Sequence, residues 1–119
     1  MTSIRIYDPA SAGAVLPELP PLPIGALVVG AAELLQQAAD LPAPVYVTVH
    51  QTQTIDVQFA QTKASTRAIT RWARRFGSAV TSYPDENRPD TWTWYRTDFD
   101  YYGIAVTAYA VIPADTART

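Results

Sequence analysis

Thr91-Trp-Thr-Trp-Tyr-Arg-Thr-Asp98, followed after the turn region Phe99 to Tyr102 by Gly103-Ile-Ala-Val-Thr-Ala-Tyr-Ala-Val-Ile112, is the stretch that decides the fold class. Aromatic and β-branched residues dominate both halves, and apolar and polar positions alternate with period two, the pattern of strands rather than helices. Two such runs across a short turn predict a long hairpin. In the second half Ile104, Val106, Ala108, Ala110 and Ile112 form an unbroken apolar face, with Thr107, Tyr109 and Val111 on the other. In the first half Trp92, Trp94 and Arg96 share one face, and Thr93, Tyr95 and Thr97 the opposite one.

Upstream, Pro84-Asp-Glu-Asn-Arg-Pro-Asp90 is polar and bracketed by prolines, so it reads as a loop, and Ala79 to Tyr83 reads as a third strand entering it. Before that strand lies a helix. Ile69, Trp72, Ala73, Phe76 and Val80 fall on one side at 100° per residue, and Lys63, Arg67, Arg71, Arg74 and Arg75 fall on the other. Thr62 or Ser65 is placed to cap its start, and Gly77 to end it. Val45, Val47 and Val49 alternate with Tyr46, Thr48 and His50, then Ile55, Val57 and Phe59 with Asp56, Gln58 and Ala60, predicting a second hairpin that turns near Gln51 to Gln53. Leu27, Ala31, Leu34, Leu35 and Ala38 make the single buried stripe of a helix from Ala26 to Ala39, stopped by Leu41-Pro42-Ala-Pro44.

Five of the ten prolines, Pro9, Pro17, Pro20, Pro21 and Pro23, lie in the first 23 residues, which predicts an arm without regular helix or central strand. Ser3 to Tyr7 could form a short strand there, with Ile4 and Ile6 on one side. Leu16-Pro-Glu-Leu-Pro-Pro-Leu-Pro23 suits an extended, polyproline-like strap whose Leu16, Leu19 and Leu22 pack on this domain or a neighbour, with docking in an aromatic groove as the alternative. The expectation is an α+β fold: an antiparallel sheet of four to five strands with helices on one face, in the order α-β-β-α-β-β-β. Residues 1–25 form the Pro-rich arm, 26–113 a single domain and 114–119 a polar tail.

A chain of 119 residues with 48% hydrophobic content can stand on one core. The absence of cysteine excludes disulfides, thiolate metal sites and cysteine nucleophiles. No basic and apolar leader pattern opens the chain and no apolar stretch is long enough to span a bilayer, so a cytoplasmic protein without a membrane partner is expected. His50 is the sole histidine, and no GxSxG, HExxH or DxDxDG pattern accompanies it. The acids from Asp85 to Asp100 sit in a loop and a hairpin turn, where aspartate serves its own backbone. No catalytic residue, metal ligand or cofactor site is therefore assigned, and the chain is not read as an enzyme.

Two features remain. Five of the nine basic residues stand in a window from Val57 to Pro84 that holds no Asp or Glu, on a chain of net charge -2. Lys63, Arg67, Arg71, Arg74 and Arg75 could meet nucleic-acid phosphates, or an acidic protein surface, with Asp85, Glu86, Asp90, Asp98 and Asp100 of this chain or a second copy as candidates. Trp92, Trp94, Tyr95 and Tyr109 supply surplus aromatic surface to the sheet, suited to another subunit or to stacked bases.

The segment from Trp72 to Ile112, with its aromatic-anchored helix, Phe76-Gly77, the polar loop, and Tyr102-Gly103-Ile104-Ala105-Val106, resembles small uncharacterised α+β proteins encoded by actinobacteria and their phages. The resemblance covers about a third of the chain and implies a compact domain from a phage or mobile element, without site residues. The expected function is a non-catalytic interaction or accessory module that self-associates as a homo-oligomer, with nucleic-acid binding as the alternative.

Overall fold

The computed structural model describes residues 2–7 and 23–114. Its elements are β1 (Ser3–Tyr7), α1 (Ile24–Gln37), β2 (Tyr46–His50), β3 (Thr54–Gln58), α2 (Ser65–Phe76), β4 (Val80–Pro84), β5 (Trp92–Tyr101) and β6 (Ile104–Pro113). From residue 24 onward the order is the expected α-β-β-α-β-β-β. Helix α1 begins at Ile24, inside the stretch assigned to the arm, because Pro23 already holds φ at -55° and its carbonyl accepts the N–H groups of Ala26 (2.9 Å) and Leu27 (3.2 Å). Leu16, Leu19 and Leu22 lie outside the described residues, as do 115–119 of the tail.

The sheet departs from expectation in two respects: it has six strands rather than four to five, ordered β1-β2-β3-β6-β5-β4, and it is mixed rather than antiparallel. Strands β2/β3, β5/β6 and β4/β5 pair antiparallel, whereas β1/β2 and β3/β6 pair parallel. The reason is topological. A helix between two strands carries the chain back to the end it started from, so the strands flanking α1 run the same way, and so do those flanking α2. Two hairpin reversals after β4 then bring β6 alongside β3 in parallel.

Both helices lie on one face of this sheet. Leu27, Ala31 and Leu34 of α1 and Ala68, Ile69 and Trp72 of α2 share a single buried cluster with Val47, Val49, Ile55, Val57, Val106, Ala108 and Ala110. Trp72 is fully buried between Phe59 and Phe76 at ring-centroid distances of 5.5 and 5.7 Å, and its indole N–H donates to the Pro42 carbonyl at 2.9 Å. The small Ala108 and Ala110 of β6 lie in the same cluster, where they leave room for so large a side chain. Helix α1 approaches closely too: a Cβ added at Gly30 would come within 2.8 Å of Ile104 Cδ1.

Neither Thr62 nor Ser65 caps α2. Ser65 Oγ donates instead to the Ala60 carbonyl at 2.6 Å, and the preceding turn supplies carbonyls from Thr62, Lys63 and Ala64 to the first N–H groups. Gly77 ends the helix as expected, at φ 69°, with Ser78 N–H returning to the Ala73 carbonyl at 2.9 Å.

The β5–β6 hairpin turns through Tyr102 and Gly103 alone, at φ 50° and 86°. Both central residues are left-handed, the geometry in which Asn-Gly is the preferred pair and tyrosine is a poor fit. Replacing Tyr102, 86% exposed, by Asn should raise stability by about 0.5–1 kcal/mol, read as a higher urea midpoint at unchanged slope. Trp72→Ala should cost about 3–5 kcal/mol in the same titration, since it empties a core site and leaves the Pro42 carbonyl without its donor.

Candidate interaction surfaces

The face of the sheet turned away from the helices carries a row of rings. Tyr83 of β4 stands opposite Trp94 of β5 in the ladder, and Tyr109 of β6 stands diagonally beyond it. The rings stack in sequence, Tyr83 on Trp94 at 6.2 Å and 4° and Trp94 on Tyr109 at 5.2 Å and 18°, the offset geometry favoured by the ring quadrupole. Tyr109 Oη donates to Gln58 Oε1 at 3.1 Å, and Gln58 is the ladder partner of Tyr46, so the row spans β4 to β2. Tyr83 and Tyr46 close its ends at 39% and 38% exposure, and the inner rings are half-buried.

Trp94 is held from the side as well. Its indole N–H donates to Asp85 Oδ1 at 2.7 Å, while Asp85 Oδ2 accepts the backbone N–H groups of Asn87 (3.1 Å) and Arg88 (2.9 Å). The Trp94 indole, then these backbone donors, hold the Asp85 carboxyl below the usual carboxylate range.

A second row is polar. Arg96 grips Asp98 with two hydrogen bonds of 2.7 and 3.1 Å, Thr107 Oγ1 donates to Asp98 Oδ1 at 2.7 Å, and the Arg96 guanidinium also reaches Tyr83 Oη at 3.4 Å. Arg96 pulls the Asp98 carboxyl below its ordinary pKa, and Asp98, with Tyr83, pushes the pKa of the Arg96 guanidinium further up. His50 Nε2 and Asp56 Oδ2 meet at 2.8 Å farther along the sheet, joining β2 to β3. Among the described residues of this face, Arg96 and Asp98 form a matched ion pair, while the Asp85 and Asp100 carboxylates are held by indole and backbone N–H donors.

Trp92, Trp94 and Tyr109 fall on the face turned away from the helices, as expected. Tyr95 does not: it alternates to the opposite side and packs against the core beneath the helices. Tyr83 also belongs to the row, which the sequence of β4 alone does not indicate because it does not say which ring Tyr83 will face.

Lys63, Arg67, Arg71, Arg74 and Arg75 are all exposed on the outer side of α2. The acid described as pairing with this row is Asp40, just beyond α1 and bound to Arg75, rather than one from Asp85 to Asp100. Arg75 binds both its oxygens, at 2.6 and 3.1 Å, and donates to the Gln37 carbonyl at 2.8 Å. The downstream acids are engaged elsewhere: Asp85 with Trp94, Asp98 with Arg96, and Asp100 with Gly103 N–H at 3.0 Å. Arg71, Arg74, Arg75 and Leu41 line an open concavity of about 340 Å³. The sheet lies between this surface and the aromatic row, so cations and rings are presented in opposite directions.

Among the described residues no group of three or more His, Asp or Glu side chains could hold a metal ion, and no helix is long and apolar enough to cross a membrane. No protein-family model matches the chain, and neither the curated proteins nor the solved structures yield a match.

Because Asp85 titrates below its unfolded value, its contribution to stability is complete above the ordinary carboxylate pKa and disappears as pH falls through the lowered one. Trp94 emission should therefore change below about pH 4, ahead of global unfolding. Asp85→Asn should abolish that early step while leaving the Trp94 signal at neutral pH close to the parent's.

Proposed function

We propose that this protein is a non-catalytic interaction module whose sheet face turned away from the helices receives the same face of a second copy. The observation that carries the reading is the stacked row Tyr83, Trp94 and Tyr109 on a face that no described helix covers. Large rigid rings are the side chains that anchor protein interfaces, since they bury much area at small entropic cost. Their fixation by Asp85, Gln58 and mutual stacking prepares the surface before binding, which lowers the ordering cost of association.

Arg96, near the middle of this face, is matched by Asp98 and so presents no uncompensated positive charge to a second copy. The sheet is extensive as well: five inter-strand spacings make it about 24 Å across, β5 and β6 run about 33 Å and the five-residue strands about 17 Å, a face somewhat smaller than the roughly 800 Å² each partner contributes to a standard interface. Such a module fits an accessory or structural protein of a phage or mobile element, the setting its resemblance implies.

Light scattering across a concentration series tests this. The parent should show a mass above the 13.0 kDa of one chain, and Tyr46→Ser combined with Tyr83→Ser should return it to one chain with an unchanged circular dichroism spectrum. Both sites are partly exposed at the ends of the row, so folding tolerates the change. A parent that remains a single chain at the highest soluble concentration overturns the proposal.

A further inference from the structure

The outer side of α2 is chemically unlike the sheet face. Arg67, Arg71 and Arg74 are exposed and make no side-chain hydrogen bond to another described residue. Arg75 beside them is fixed by Asp40 and the Gln37 carbonyl. Arg67/Arg71 and Arg71/Arg75 repel at i, i+4, by a few tenths of a kcal/mol per pair, and Asp40 binds Arg75 and attracts Arg71 from the same end of the row. Among the described residues Arg67 and Arg74 have no acidic hydrogen-bond partner, so the helix keeps a positive stripe there.

We infer that this stripe binds the backbone phosphates of nucleic acid, with Arg67, Arg71 and Arg74 as contacts and Arg75 as a positioning residue that walls one side of the concavity. Three observations select phosphate over an acidic protein. Four of the five cations are arginine, whose planar fork pairs bidentately with phosphate oxygens. Between Lys63 and Arg75 the exposed positions are Lys63, Ala64, Arg67, Thr70, Arg71, Arg74 and Arg75, so the face offers no large apolar or aromatic anchor of the kind protein interfaces need. Among the described residues lining the concavity Leu41 alone is apolar, and it is half-buried. Charge-only contact of this kind positions a backbone without reading bases. The rings of the sheet take no part, because they face the other way.

The test is fluorescence anisotropy of the full chain with a labelled 20-base-pair DNA duplex from 50 to 200 mM salt. Three neutralised phosphates give a log–log slope of about -2.7, or roughly forty-fold weaker binding across that range. Arg71→Gln with Arg74→Gln should flatten the slope to about -0.9, and the double variant should fold at least as well as the parent, since it removes repulsion within the helix. Tyr46→Ser with Tyr83→Ser should leave the slope unchanged, which separates this inference from the proposed self-association. No binding at 50 mM salt, an unaltered slope in the arginine variant, or equal binding to a poly-glutamate peptide of matched charge would each overturn it.

Discussion

The period-two alternation of β6 is the constraint on which the rest depends. This strand lies between β3 and β5, near the middle of the sheet. Its even-numbered residues from Ile104 to Ile112 are buried, and Thr107, Tyr109 and Val111 look the other way. A slip of one residue would exchange the two sets, exposing five apolar side chains and burying Tyr109 and Thr107 among aliphatics. Because β6 pairs over its full length with β5, the same slip would carry Trp94, Arg96 and Asp98 out of line with their partners. The core and the outer face are therefore specified together, by one strand.

What was legible in the sequence follows from that locality. Hairpins, helix stripes and strand faces are short-range patterns, and β2/β3, β5/β6, α2 with its Gly77 terminus and the split of Trp94 from Tyr95 could all be read from neighbouring residues. The parallel pairings could not. They join strands separated by a helix, and nothing in Thr54–Gln58 or Ile104–Pro113 announces the other. Strand β1 was discernible as an apolar alternation but was grouped with the proline-rich arm, since its partner β2 lies some forty residues on.

The surfaces divide in the same way. The arginine stripe of α2 was legible because five cations at helical spacing need only the helix to be correct. Its counter-ion was not, since Asp40 reaches Arg75 through the packing of α1 beside α2, a tertiary relation without sequence period. Asp85 is the clearest case. Aspartate after proline in a polar loop is ordinary turn chemistry, and its Asn87 and Arg88 bonds are of that kind. Its third bond, to the Trp94 indole, turns a loop cap into the clamp of an aromatic face, and only the β4–β5 register brings the two together.

Placing cations and rings on opposite sides of one sheet has a geometric consequence for assembly. A pair of copies joined through their sheet faces would put the two α2 helices on the outside, pointing away from each other with both sheets between them. Their arginines would not then combine on one short stretch of phosphates, and avidity, which requires both sites to be reachable by one ligand, would not arise there. Such a pair would instead be suited to bridging two separate segments of an anionic polymer. The separation also removes a conflict: a face that met a second copy would be spoiled by uncompensated arginines, and a stripe that met phosphates would be spoiled by burial. The sheet, with both helices on one side and no described helix on the other, keeps the two chemistries apart.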